Sequence, residues 1–251
     1  MSFLKSFVSL FPGGKKLAEK HSYRRRSRLL ERAGDTEDRF TAIYKQNQWK
    51  NEESRSGEGS TLEYTRNIRK EIPLLIERYG FKTILDAPCG DYHWFQHIER
   101  AQDTQYLGAD IVEPLIAANQ ENFGNENTRF VHLDIITWKL PDADLWLCRD
   151  CLFHLSYDDI FSVIDNFLNS NIRYLLTSTH PDCDRNIDIP TGHFRLLNLE
   201  LLPFSFCKPI LTIDDWIEGM PVRYLALWEK KDLAAMQKLD YPAPVRPGTA
   251  T

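Results

Sequence analysis

The sequence lacks long apolar runs and paired cysteines. No window in the 251 residues approaches eighteen consecutive uncharged apolar residues, so no segment is expected to span a bilayer. The first residues lack the long apolar run and small-residue cleavage site of an export signal. The five cysteines are an odd number at irregular spacing, which argues against a disulfide framework. We therefore predict a cytoplasmic protein with reduced cysteines.

The cysteines and histidines also lack the spacing of a metal site. Cys148 and Cys151 form a C-x-x-C pair, but the chain has no second such pair and no paired histidines that would complete a zinc site. The pair also lies where an apolar strand is predicted to end. We therefore predict no metal site.

The net charge of −5 is unevenly distributed. Residues 1–32 hold nine Lys or Arg against two Glu, so the remaining 219 residues carry −12. An acidic body lacks the basic surface that duplex binding requires, and no nucleic-acid partner is expected. The basic arm follows a short amphipathic pattern. This pattern is typical of peripheral membrane or protein contact through residues 1–32, or alternatively of a solvated tail.

The composition is that of one globular domain with appendages. Apolar residues make up 42% and charged residues 27% of the chain, which excludes collagen-like, low-complexity and wholly disordered classes. We predict a basic, partly amphipathic arm at 1–39, a globular domain at 40–230, and a Pro-rich, disordered tail at 231–251.

Short apolar strands alternate with helical segments after a first predicted helix at 61–80, which has Thr61 as its N-cap and Gly80 as its stop. Further helices are predicted at 112–123 and 157–170. The predicted strands are 82–87, 105–110, 128–134, 144–150, 173–179, 209–216 and 222–230. This alternation indicates an α/β fold with a mostly parallel sheet and helices on both faces. The link between the last two strands is too short for a parallel crossover, so they are expected to pair antiparallel.

Polar residues follow the carboxyl ends of the five strands predicted to be parallel. Open α/β sheets bind ligands beyond this edge. Asp110 comes twenty residues after Gly90, the interval at which a carboxylate accepts hydrogen bonds from ribose hydroxyls. Each carboxylate also has a structural alternative as a helix cap or a partner of a helix N-terminus. The residues at these strand ends are Asp86, Gly90, Asp110, Asp134, Arg149, Asp150, His154 and His180.

The motifs ILDAPCGDYHW, YLGADIV, VHLDI and LWLCRDCLFHL resemble those of class I S-adenosylmethionine-dependent methyltransferases. Within that family, DAPCGDYHW and CRDCLFHL resemble a bacterial subgroup. The resemblance covers about residues 40–230. It implies a methyltransferase domain with a Rossmann-like, seven-stranded, mostly parallel sheet whose last strand is antiparallel. It also implies S-adenosyl-L-methionine as cofactor.

The first motif departs from the family pattern. Pro88 and Tyr92 stand where the family commonly has glycine, and only Gly90 remains. A backbone cradle for phosphate needs more glycine, so a nucleotide-phosphate site is disfavoured. The cofactor that the family implies has no phosphate, so it is compatible with this loss.

The resemblance also implies a cofactor site at the strand ends. Asp86 and Gly90 would border the methionine part of the cofactor, and Asp110 would bind the ribose. Asp134 would accept from the adenine amino group. The implied cofactor-binding residues are Asp86, Pro88, Gly90, Asp91, Asp110, Ile111, Asp134, Ile135, Cys148 and Arg149.

A base is needed when a hydroxyl accepts the methyl group, because the hydroxyl is a poor nucleophile until it loses its proton. Asp150, His154 and His180 are the predicted catalytic residues. We favour a histidine as the base, since its unperturbed pKa lies nearest neutrality, with Asp150 orienting its partner. Each histidine has an alternative as a structural residue, bonded to backbone or ending a strand.

The acceptor is predicted from two segments. Ser56 and Gly57 lie in a loop that either closes over the site or serves as a flexible linker. Arg195 and Asn198 lie in the long segment 182–206 and suit a small polar or sugar-like acceptor. Two other functions stay open. One is a non-catalytic, S-adenosylmethionine-binding partner or regulatory protein, and the other is a methyltransferase acting on a lipid-linked acceptor at the membrane.

Overall fold

Seven strands form one sheet in the computed structural model, which describes residue 27 and residues 33–237. The strands are β1 Thr83–Asp86, β2 Gln105–Asp110, β3 Thr128–His132, β4 Leu145–Cys148, β5 Tyr174–Thr179, β6 Leu211–Asp214 and β7 Tyr224–Glu229. Their order is β3-β2-β1-β4-β5-β7-β6. Strands β1 to β5 pair in parallel, and β7 runs antiparallel to both of its neighbours. The predicted mostly parallel sheet with an antiparallel last strand is confirmed.

Helices cover both faces of this sheet. They are α1 Thr36–Lys45, α2 Ile68–Tyr79, α3 Glu113–Phe123, α4 Tyr157–Asn169 and α5 Lys230–Gln237. Along β4, Trp146 packs into one apolar cluster while Leu145 and Leu147 pack into the other. Alternate residues of a strand point to opposite faces, so this strand is buried on both sides. No helix within residues 33–237 combines the length and apolarity needed to cross a bilayer.

The helix predicted at 61–80 begins later, at Ile68. The Thr61 hydroxyl donates to the Glu58 carbonyl at 2.9 Å and accepts from the Tyr64 N–H at 3.3 Å, so Thr61 closes a turn and does not cap the helix. The predicted end is correct. Gly80 follows the helix with φ 65, a left-handed conformation that glycine adopts at low cost.

Helices extend the domain beyond both predicted boundaries. Helix α1 begins inside the predicted arm, where the Asp35 side chain accepts from the Asp38 N–H at 2.9 Å. Helix α5 occupies the start of the predicted disordered tail. Its Leu233 is buried in the core, and the prolines of the tail begin only at Pro242, so nothing prevents a helix there. The rest of both predicted appendages, including most of the basic arm, lies outside the described residues.

Phe167 on α4 tests the packing of this core. It is fully buried, and its ring lies 6.0 Å from that of Trp146, centroid to centroid. We expect Phe167→Ala to lower the free energy of unfolding by about 3–5 kcal/mol, because the truncation leaves a cavity. Urea denaturation measures this. Leu74→Ala is the control, since Leu74 is exposed on α2 and should change stability by less than about 0.5 kcal/mol. Equal losses in the two variants would contradict the packing.

Candidate active site

A cavity of about 410 Å³ opens beyond the carboxyl ends of β1, β2 and β4. Its volume is within the range of small-molecule sites. The segment from Thr36 to Tyr64 and the half-exposed Phe194 complete its walls. The predicted residues that line it are Ser56, Gly57, Asp86, Pro88, Gly90, Asp110, Ile111, Asp134, Ile135, Arg149, Asp150, His154 and His180.

Asp110 holds the loop after β1 in place. Its carboxylate accepts from the Gly90 N–H at 3.1 Å and from the Val112 N–H at 3.0 Å. Burial raises the pKa of Asp110 to about 6, although these backbone N–H groups act to lower it. A carboxylate has about four acceptor positions, so Asp110 can still accept from hydroxyl donors in the cavity.

Asp86 lies at the end of β1 beside Asp110 and is almost fully buried. The Tyr106 hydroxyl donates to its carboxylate at 2.7 Å. Burial raises the pKa of Asp86 to about 7, so near neutral pH this carboxyl exchanges between its neutral and charged forms.

The loop at 88–92 contains a single glycine, Gly90. Gly90 has φ 56, and a Cβ there would collide with the Ser56 side chain, so only glycine fits. Tyr92 has a similar φ of 58, where the family has glycine. Its ring is buried, with centroids 5.1 Å from Tyr106 and 5.0 Å from Phe130. This aromatic packing offsets the cost of a left-handed backbone at a residue other than glycine.

Asp91, predicted to bind cofactor, does not line the cavity and instead anchors the loop that covers it. Its carboxylate accepts from the Ser54 hydroxyl at 2.9 Å, the Arg55 N–H at 2.7 Å and the Ser56 hydroxyl at 3.1 Å. The loop around Ser56 and Gly57 is therefore tied to the strand ends and is not a flexible linker.

Cys148, also predicted to bind cofactor, does not line the cavity. It is fully buried in the core at the end of β4. Cys151 lines the cavity instead.

Arg195 and Asn198, predicted to bind substrate, do not line the cavity. The Arg195 guanidinium donates to the Leu155 carbonyl at 2.7 Å, and the Asn198 amide donates to the Cys183 carbonyl at 3.2 Å. Both side chains hold the 182–206 segment in place, so they do not support a sugar-like acceptor. The same segment does supply Phe194 to the cavity.

Two buried arginines and two aspartates form a network at this edge of the sheet. Arg149 donates to Asp215 through Nε at 3.0 Å and Nη2 at 2.8 Å, and to the Gly59 carbonyl at 2.6 Å. Arg223 pairs with Asp215 at 3.0 Å and with Asp150 at 2.5 Å. Asp215 and Arg223 are not among the residues predicted from the sequence. The antiparallel pairing of β6 with β7 could have indicated them, because it places the residue after β6 opposite the residue before β7.

The three predicted catalytic residues have different environments. Burial acts to raise the pKa of Asp150, but Arg149 and Arg223 outweigh burial and hold the pKa below its usual value. Asp150 is therefore charged and a weak base. Burial, together with Arg223, lowers the pKa of His180 to about 4, which also makes it a weak base.

His154 has the arrangement of a general base. Its Nδ1 lies 2.7 Å from the His193 carbonyl oxygen, so Nδ1 carries the proton and donates it to that oxygen. In this tautomer Nε2 has the lone pair. The ring lines the cavity, with centroids 6.4 Å from Trp49 and 5.8 Å from Phe194.

Residues 84–170 match the family model described as "Methyltransferase domain". This stretch of the chain is similar to methyltransferase domains. The match supports the predicted class of enzyme. The comparison with curated proteins finds no match.

Solved structures share the fold of this methyltransferase domain. PigF with SAH has a TM-score of 0.57 at 13% identity, over 84% of this chain and 68% of PigF. Magnesium protoporphyrin IX methyltransferase from Synechocystis PCC 6803 has a TM-score of 0.53 at 15% identity, over 78% of this chain and 98% of that enzyme. Human N-acetylserotonin methyltransferase has a TM-score of 0.52 at 12% identity, over 82% of this chain and 65% of the human enzyme. The chain thus spans just under two thirds of the human enzyme, and 66% of the bacterial CtHen1-C methyltransferase domain.

Much of the cavity wall lies outside the residues that match the methyltransferase domain. Asp86, Asp110 and His154 are within the match, whereas Trp49 precedes it and Phe194 follows it. The ends of β1 to β4 thus lie within the stretch that is similar to methyltransferase domains. The other walls come from segments outside that stretch.

Asp215 tests the buried network. Asp215→Ala leaves two buried guanidinium groups without their shared partner, and we expect it to lower the free energy of unfolding by about 3–5 kcal/mol. Chemical denaturation measures the loss. The neighbouring Asp214 is exposed, so Asp214→Ala is the matched control and should be nearly neutral. A near-neutral Asp215→Ala would show that the network does not stabilise the fold.

Proposed function

We propose that the protein is an S-adenosylmethionine-dependent methyltransferase that methylates a hydroxyl oxygen of a small molecule. The observation that carries this proposal is one cavity, at the strand ends of a methyltransferase domain, that is lined by both Asp110 and His154. Asp110 offers acceptor positions for a nucleoside, and His154 offers a basic nitrogen for a hydroxyl proton. Structures with the same fold contain this cofactor or its product, as human N-acetylserotonin methyltransferase and PigF do.

The strand ends offer a group for each part of the cofactor. Asp110 accepts from the ribose hydroxyls, and Gly90 borders the methionine part, where its missing side chain lets the backbone approach. Asp134 and Ile135 meet the adenine. The Asp134 carboxylate already accepts from the Ile136 N–H at 2.8 Å and the Thr137 hydroxyl at 2.5 Å, which holds it in position for the adenine amino group.

When bound, S-adenosylmethionine supplies an electrophilic methyl group on a sulfonium. The protein aligns the acceptor oxygen in line with that methyl and removes the hydroxyl proton. His154 takes the proton at Nε2, because the His193 carbonyl keeps the other proton at Nδ1. The imidazolium that forms is stabilised by the negative charge of Asp150, which interacts electrostatically with His154.

Asp110 tests the cofactor assignment. We expect Asp110→Ala to weaken binding of S-adenosylhomocysteine by about 10- to 100-fold, since charge-assisted hydrogen bonds to the ribose are lost. Isothermal titration measures this, with Asp142→Ala at the opposite end of the sheet as control. In the wild type, affinity should rise about tenfold from pH 5 to pH 7.5, because the ionised carboxylate accepts from the ribose and the pKa of Asp110 is about 6. The variant should lose this rise. Wild-type affinity in Asp110→Ala would refute the assignment.

His154 tests the reaction. A screen of small metabolites with methyl-labelled cofactor identifies the acceptor, and His154→Asn should then lower kcat by about 10²- to 10⁴-fold. Affinity for S-adenosylhomocysteine should stay at the wild-type value, because His154 acts on the acceptor. His180→Asn serves as the comparison and should retain the pH profile of kcat. Full activity in His154→Asn would exclude it as the base, and cofactor binding with no acceptor in any screen would favour the non-catalytic function.

A further inference from the structure

Aromatic rings surround the His154 end of the cavity. Phe153 lies 4.7 Å and Phe194 5.8 Å from the His154 ring, centroid to centroid, and Trp49 lies 6.4 Å away. Phe194 is 52% exposed although it lines the cavity. A ligand that covers this exposed ring would bind more tightly, because it removes apolar surface from water.

Asp150, Arg223 and His180, which line the cavity, are already engaged with other groups of the protein. Asp150 pairs with Arg223, and Arg223 also pairs with Asp215. His180 Nδ1 faces the Leu197 backbone, 3.3 Å from its nitrogen and 3.4 Å from its carbonyl oxygen. A saccharide needs many well-placed partners for its hydroxyls, and an unpaired polar group costs free energy on binding. These engaged side chains therefore suit an acceptor with few hydroxyls.

The charges at this end cancel. Arg149 and Arg223 carry two positive charges, and Asp150 and Asp215 carry two negative charges, within one bonded network. Arg55 and Glu58 also line the cavity and add one charge of each sign. A cationic or anionic acceptor would therefore lose its hydration without meeting an excess of opposite charge from these six residues. The site therefore suits a neutral acceptor.

We infer that the acceptor is a neutral, flat aromatic ring that carries a hydroxyl, a phenol-type compound whose ring packs between Trp49 and Phe194. This inference rests on the proposed function and replaces a sugar-like acceptor. The phenolic proton passes to His154 Nε2 while the oxygen bonds to the methyl carbon. The carbon–sulfur bond breaks, and its electron pair stays on sulfur.

The experiment measures binding of two neutral probes, catechol and methyl α-D-glucopyranoside, to the full chain saturated with S-adenosylhomocysteine. Ligand-observed NMR follows both titrations. We expect catechol to bind and the glucoside not to bind. Phe194→Ala should weaken catechol binding about five- to tenfold, whereas Phe194→Tyr, which keeps the ring, should stay within about twofold. Leu202→Ala removes an exposed apolar side chain that does not line the cavity, and it should change nothing.

Several results would overturn the inference. These are glucoside binding without catechol binding, binding of neither probe, or catechol affinity that is the same in Phe194→Ala as in the wild type. Because the titrations start from protein saturated with S-adenosylhomocysteine, failure of the cofactor site shows itself first, as absent binding of that compound. The failure of the proposed function and the failure of the phenol-type acceptor are thus distinguished.

Discussion

Two buried arginines, Arg149 and Arg223, tie the cavity edge of the sheet together through Asp150 and Asp215. Neither arginine is stable at such depth without carboxylates, and neither aspartate is stable there without the arginines, so the four residues require one another. They come from the ends of β4, β6 and β7. Arg149 also holds the Gly59 carbonyl, so the network fixes the covering loop as well as the strands.

The two sides of the cavity have different origins. The proposed cofactor side is built on strand ends, where Asp110 positions the Gly90 loop by a direct hydrogen bond. The proposed acceptor side depends on segments outside these strand ends. Trp49 comes from before it, and the 182–206 segment supplies Phe194 and the His193 carbonyl that orients His154. A fold shared by many methyltransferases can therefore change acceptor by changing these segments alone.

Local patterns were enough to predict the sheet and its ligand-binding edge. The strand at 105–110 was predicted with its observed bounds, and the placement of Asp110 followed from the rule for parallel strands. Other features depend on tertiary register and could not be predicted locally. Cys151 lines the cavity and Cys148 does not, although both are buried. Arg195 is buried because its segment folds back against Leu155.

The choice of base shows how environment separates residues that look alike in sequence. Asp150, His154 and His180 all follow strand ends and all line one cavity. The neighbouring arginines keep Asp150 charged, and burial keeps His180 neutral with a pKa of about 4. His154 has its proton held at Nδ1 by the His193 carbonyl at 2.7 Å, on the side of the ring away from its basic nitrogen. Asp150 thus carries a counter-charge and His180 is a neutral buried ring, which leaves His154 for the proposed role of base.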